Sequence, residues 1–106
     1  MLEVEPAGPD AVAGRCFLKQ DHQGADRGNG HEGVVAAALT EAMALACGPD
    51  ARTVSLEISL SGAAPVGAYL EIEARVEHRD GPSADASATA RADQRMVAQA
   101  RGRFRS

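Results

Sequence analysis

Aromatic side chains are almost absent from this chain of 106 residues: there is no tryptophan, and aromatic residues make up 3% of the sequence. A core must therefore be built from aliphatic side chains and alanine. That is thin apolar material for one modest domain, and it favours burial shared with a second copy. There are only two cysteines, Cys16 and Cys47, which excludes a disulfide framework and a cysteine-based metal site. Both sit among apolar neighbours and read as reduced and buried, as in an intracellular protein. The opening MLEVEPAGPD has neither the basic start nor the apolar stretch of a signal peptide. No apolar run approaches the roughly 20 residues of a membrane span, so a soluble, cytoplasmic protein with no membrane partner is expected. A formal charge of −4 argues against a general nucleic-acid binder. Nor is there a Gly-x-Ser-x-Gly elbow, a phosphate-binding P-loop or a histidine–cysteine metal cluster.

What the chain does have is a long alanine-rich stretch, GNGHEGVVAAALTEAMALACG, from Gly28 to Gly48. From Gly33 to Cys47 it holds no proline or glycine, and most of its residues favour helix. Asn29 can cap this helix, with Glu32 three residues on in a capping-box-like arrangement, and Gly48-Pro49 stops it. Val35, Ala38, Leu39, Ala42, Leu45 and Ala46 recur at three- and four-residue spacing and define one apolar face. Thr40 and Met43 lie to another side, and Glu41 is turned about 100° from Thr40. With side chains this small, another backbone can approach closely.

Either side of the helix the period differs. Residues 1–10, acidic and proline-containing, read as a loose lead-in, and Ala11 to Lys19 as a first strand with Val12, Cys16 and Leu18 on one side. Gln20 to Gly30 is a polar loop. After the helix, Val54, Leu56, Ile58 and Leu60 alternate with polar residues, as in a half-buried strand. Leu70, Ile72, Ala74 and Val76 repeat the pattern, with Tyr69 facing out. Asp80-Gly81-Pro82 then makes a tight turn, with His78 exposed beside it. Ala84, Ala86, Ala88 and Ala90 follow, and after Asp93-Gln94, Met96, Ala98, Ala100, Gly102 and Phe104 share a face. The expected architecture is a single α+β domain over residues 1–106, in which an antiparallel meander of four strands, wet on one face, covers the helix with the other.

Gly30-His31-Glu32-Gly33-Val34-Val35, followed by Leu39-Thr40-Glu41-Ala42-Met43, resembles the signature of the small PaaI-like thioesterases of the hotdog-fold superfamily. That signature reads His-Gly-Gly-Val, an apolar helix, then Asp-Glu-Ala-Met. The similarity runs from about residue 12 to 105 and includes the Pro65-Val66-Gly67 turn and the closing strand Met96 to Phe104. It implies a sheet of five or six strands wrapped around one central helix. It also implies a homodimer or homotetramer, with an acyl-CoA or acyl-carrier-protein thioester bound where subunits meet, near the helix N-terminus. Coenzyme A arrives as part of the substrate, and no separate cofactor or metal is implied. A backbone N–H just after the motif histidine polarises the thioester carbonyl, and a carboxylate nine residues beyond that histidine is base or nucleophile. Free N–H groups at a helix N-terminus suit a developing oxyanion on physical grounds as well.

Two positions depart from the signature. Thr40 stands where the carboxylate is expected and is no base at neutral pH; the neighbouring Glu41 matches the second acidic residue. Glu32 replaces the first glycine, keeping the N–H but adding a side chain. The candidate catalytic residues are therefore Glu41, Thr40, His31 and Glu32. Each has a plainer reading: a surface or interface glutamate, a satisfied helix threonine, a turn-fixing histidine and a capping glutamate. Gln23, Asn29 and Gly33 are the substrate-binding candidates around the helix entry. Arg101 and Arg103 share a strand face and either meet the phosphates of coenzyme A or face solvent. Two functions follow: a hydrolase releasing free acid and thiol from a thioester, or a hotdog module that binds an acyl or aromatic ligand, or an assembly partner, without cleaving anything.

Overall fold

The computed structural model describes residues 2–8, 10–17, 32–61 and 69–106. Six strands and one helix follow in the order β1 (Leu2–Gly8), β2 (Ala11–Phe17), α1 (Glu32–Cys47), β3 (Arg52–Leu60), β4 (Tyr69–Asp80), β5 (Ser83–Ala92) and β6 (Arg95–Arg105). The strands form one sheet ordered β1-β2-β4-β5-β6-β3, with every neighbouring pair antiparallel. The helix lies across one face of it, so the expected sheet wrapped on a helix is what the chain forms.

Alanine decides where the helix sits. Ala84, Ala86, Ala88, Ala90 and Ala92 on β5, with Ala98 and Ala100 on β6, are all buried. Side chains that stop at Cβ let α1 settle close to the middle of the sheet. The larger residues close the rest of the core: Leu39 and Met43 from the helix, Leu70 and Ile72 from β4, and Phe104 from β6 are the largest fully buried side chains. On β4 burial alternates residue by residue from Tyr69 to Ala74, as period 2 demands. Gly102 makes room for Phe104: a Cβ there would lie 2.8 Å from the ring's Cε1.

Several expectations are corrected. The lead-in is not loose, because residues 2–8 pair with β2 as an edge strand; its alternation is short and its acidic, proline-containing composition concealed it. The strands after the helix do not form a four-strand meander. β4, β5 and β6 form a three-strand meander, and β3 lies beside β6 at the far edge. As an edge strand β3 is exposed almost throughout rather than half-buried: only Ile58 is partly covered, while Val54 is 60% exposed. Met43, expected off the apolar face, is fully buried, whereas Leu45 is 46% exposed. The buried arc of α1 runs from Ala38 through Val35, Ala42, Ala46 and Leu39 to Met43 and Cys47, which leaves Leu45 just outside it. Met96 is also exposed, because the β5–β6 register shifts between Ala90 and Arg91 and buries Val97 instead. The first strand ends at Phe17; residues 18 and 19 lie outside the described residues.

The helix has a tight stop. Gly48 takes φ +136°, its N–H bonds Ala44 O at 3.1 Å, and Ala51 N–H bonds Gly48 O at 3.2 Å. The last turn of α1 contains no basic residue. Arg79 of β4 supplies that charge, donating from Nη2 to Cys47 O at 3.1 Å and to Asp10 Oδ1 at 2.7 Å. A cation at the negative end of the helix dipole is favourable, and the same side chain fastens the β1–β2 turn to the helix. The Arg79 hydrogen bond holds the Asp10 carboxyl below its ordinary range. Burial pushes the Cys47 thiol up, with Arg79 opposing it. Cys16 and Cys47 are both free and buried, as the sequence indicated.

Candidate functional site

Glu32 is the first helical residue, rather than the third after a cap at Asn29. His31, Gln23 and Asn29 lie outside the described residues, and of Glu32 and Gly33 the backbone alone is described. The first turn leaves its N–H groups without intrahelical partners at the positive end of the dipole. That is the donor array a developing oxyanion would use.

Thr40 and Glu41 lie two turns further on. At 1.5 Å rise per residue, the Thr40 backbone is roughly 10–12 Å along the axis from Glu32 and Gly33. Thr40 is half-buried, and its Oγ1 donates to Ala36 O at 2.8 Å. The hydroxyl proton is thus committed to the helix, and only lone pairs remain to accept from water or ligand. Glu41 is exposed, in a row with Ala37 and Leu45 at four-residue spacing. Beside this row run Ala36, Thr40 and Ala44, all half-buried. The described core holds no buried polar or charged residue. Any carboxylate acting at this helix therefore comes from its open face or from outside the described residues.

Arg101 and Arg103 are on the other side of the sheet. They alternate with Ala100, Gly102 and Phe104, which face the helix, so the sheet separates them from Thr40 and Glu41. Arg103 Nε is 3.0 Å from Asp85 Oδ1, and this contact holds the Asp85 carboxyl below its usual range. Arg101 stands opposite Ser87 and Glu57 across the two strand pairings. On the same outer face the Ser87 hydroxyl donates to Glu77 at 2.6 Å and Arg75 lies 3.0 Å from it; first the hydroxyl and then the guanidinium lower the Glu77 carboxyl. An open groove of about 990 Å³ runs over this face, between Arg101, Arg103, Ser87, Thr89, Ser55 and Glu57. His78 is exposed beside the β4–β5 turn, and Tyr69 faces out with the Arg15 guanidinium 5.1 Å from its ring centroid. Among the described residues no group of three or more histidine, cysteine or acidic side chains is placed to hold a metal. No helix in them is long and apolar enough to cross a membrane.

Sequence reasoning missed Arg79 and Asp10. The signal available was a helix with no basic residue in its last turn, which asks for a cation from elsewhere; it does not say from which strand.

Solved structures give the frame a class. The PaaI protein of the phenylacetic acid degradation operon of E. coli superposes with a TM-score of 0.91 at 18% identity, over 98% of this chain and 78% of that one. Zebrafish thioesterase superfamily member 2 gives 0.88 at 22% identity, over 98% and 80%. A conserved protein of Pseudomonas aeruginosa gives 0.89 at 24% identity, over 98% and 86%. No protein-family model and no curated protein matches the sequence. The chain has the hotdog fold of the PaaI-like and thioesterase-superfamily structures: one helix packed against a six-stranded antiparallel sheet.

Proposed function

We propose that the protein is an acyl-thioester hydrolase whose site is completed by two copies of the chain. One observation carries the reading. On a thioesterase-like hotdog frame, the helix N-terminus and the pair of half-buried Thr40 and exposed Glu41 lie on one helix, roughly 10–12 Å apart along its axis. One acyl carbon cannot sit against both in a single chain, whereas the N-terminus of one copy and the Thr40-Glu41 turn of another can flank it. The edge strand β3 supports pairing: Leu56, Ile58 and Leu60 line up with Gly102, Ala100 and Ala98 on the helix side of the sheet, and Leu56 and Leu60 are exposed there. Among the described residues no strand lies beyond β3, and an apolar edge of this kind is a template for a second strand.

In this reading the first-turn N–H groups receive the carbonyl oxygen as it becomes an oxyanion. Glu41 takes a proton from water as the water oxygen bonds to the acyl carbon. The C–S bond then breaks as the oxyanion collapses, and the departing sulfur takes the proton back from Glu41 to leave as the thiol. The lone pairs of Thr40 orient that water. A panel of acyl-CoA thioesters with a thiol-detecting reagent tests it. Glu41→Gln should lower turnover by about 10²- to 10⁴-fold, the usual worth of a general base, and Thr40→Asp should raise it. If Glu41→Gln and Glu32→Gln both leave turnover intact, neither glutamate is the base.

A second reading, a ligand-binding or assembly module without hydrolysis, is favoured by the Thr40 hydroxyl being committed to Ala36 O. No detectable thiol release from any thioester, together with no gain in Thr40→Asp, would select it.

A further inference from the structure

The outer face of the sheet carries an arrangement that the thioester reading leaves unused. Arg52 of β3 and Arg105 of β6 are directly opposite in the antiparallel register. Arg103 is two residues up the same face of β6, and the half-buried Ser83 of β5 lies opposite Arg105 on its other side. Like charges directly opposite across a strand pair repel. Here the repulsion stands in a chain of net charge −4 with 15 acidic residues. Asp85 engages Arg103 and fixes where its guanidinium points. The ion pairs among the described residues leave Arg52 and Arg105 without a carboxylate. The Ser83 hydroxyl makes no hydrogen bond among those residues either.

We infer that Arg52, Arg103, Arg105 and Ser83 form a binding site for a phosphoryl anion, with the rest of the ligand lying in the adjoining hydroxyl-lined groove. The chemistry favours phosphate over a lone carboxylate. Three guanidiniums present more planar donor pairs than one carboxylate can accept, and a phosphate or diphosphate offers several oxygens to such forks. The groove beside it is lined by the hydroxyls of Ser55, Ser59, Ser87 and Thr89 and by Gln99, with Arg101 and the carboxylates of Glu57, Glu77 and Asp85 along it. Such a lining suits a hydrophilic body, such as the sugar of a nucleotide, and not an acyl chain. The sheet separates the site from Thr40 and Glu41 of the same chain, so its occupancy does not depend on hydrolysis.

Calorimetric titration of the full chain with inorganic pyrophosphate, ADP, coenzyme A and pantetheine tests the site without turnover. Saturable binding of pyrophosphate and ADP is expected, with none of pantetheine. Arg52→Gln and Arg105→Gln should each weaken the binding by about tenfold, the worth of one hydrogen bond to a charged group. Arg91→Gln, which removes an exposed arginine elsewhere on β5, should leave it unchanged. Coenzyme A competing with pyrophosphate would identify its phosphates as the ligand group. Pyrophosphate binding without coenzyme A binding would assign the site to a free phosphate or nucleotide. A second readout is thermal: removing one member of the like-charged pair should raise Tm without ligand while reducing the rise that pyrophosphate gives. Absence of saturable binding, or equal weakening in Arg91→Gln, would overturn the inference.

Discussion

Gly102→Ala is the sharpest single test of how the core is closed. The added methyl would lie 2.8 Å from Phe104 Cε1, 3.2 Å from Cζ and 3.2 Å from the backbone oxygen of Ser55. Carbon atoms in good contact are about 3.5–4.0 Å apart, so the ring must retreat by most of an ångström. It has little room to do so, because Phe104 is fully buried beneath the helix. The Ser55 oxygen belongs to β3 and cannot rotate away. Overpacking of this kind costs about 1–3 kcal/mol. Alanine in place of a strand glycine returns about 0.5–1 kcal/mol by restricting the unfolded chain. The net loss should be about 0.5–2 kcal/mol, or roughly 2–16 °C in Tm for a domain of this size. Urea and thermal unfolding at one fixed protein concentration read it, the concentration being held because association shifts apparent stability. Gly102→Ala combined with Phe104→Leu should cost less than the sum of the two, since the smaller side chain vacates the space. An unchanged or higher Tm in Gly102→Ala, or strict additivity in the pair, would refute the claim that the ring lies across the glycine.

Ala42 is fully buried against the sheet, so Ala42→Leu should destabilise by about 1–3 kcal/mol in urea titration, and Leu39→Ala by about 2–5 kcal/mol through the cavity it leaves. Asp93 and Gln94 both hold positive φ, +51° and +66°, in the β5–β6 hairpin; Asp93→Asn with Gln94→Gly should raise stability by about 0.5–1 kcal/mol, because Asn-Gly suits that turn. Asp10, Glu77 and Asp85 have carboxyls lowered chiefly by hydrogen bonds from Arg79, Ser87 and Arg103. Their folded values lie below the unfolded ones, so their contribution is whole above the ordinary carboxylate range and is lost as pH falls through about 4 and below. Arg79→Gln should lower Tm at pH 7 and flatten the acid side of the stability–pH curve; an unaltered curve would mean that the contact to Asp10 and Cys47 O contributes nothing.

Period and spacing in the sequence were enough to place α1 and five of the six strands, because alternation and three-to-four spacing follow from backbone geometry alone. The alanine face of β5 and the apolar stripe of α1 could be matched to each other before any coordinates, since only small residues on both elements allow close approach. The class of fold was legible too, through a helix-entry signature and turns that agree in order.

Other features depend on what lies beside an element, which no window of residues contains. β1 is a strand because β2 offers it an edge; its own composition reads as coil. β3 has the alternation of a half-buried strand but stands at the sheet's margin, so Val54, Leu56 and Leu60 remain exposed. Met43 and Leu45 exchange their expected burial because the arc of α1 that the sheet covers takes in the first and stops short of the second. The arginines show the same division. Their alternation on β6 was visible in the sequence, but only the antiparallel register set Arg52 against Arg105, put both across the sheet from Thr40 and Glu41, and left Arg79 to close the helix that carries them.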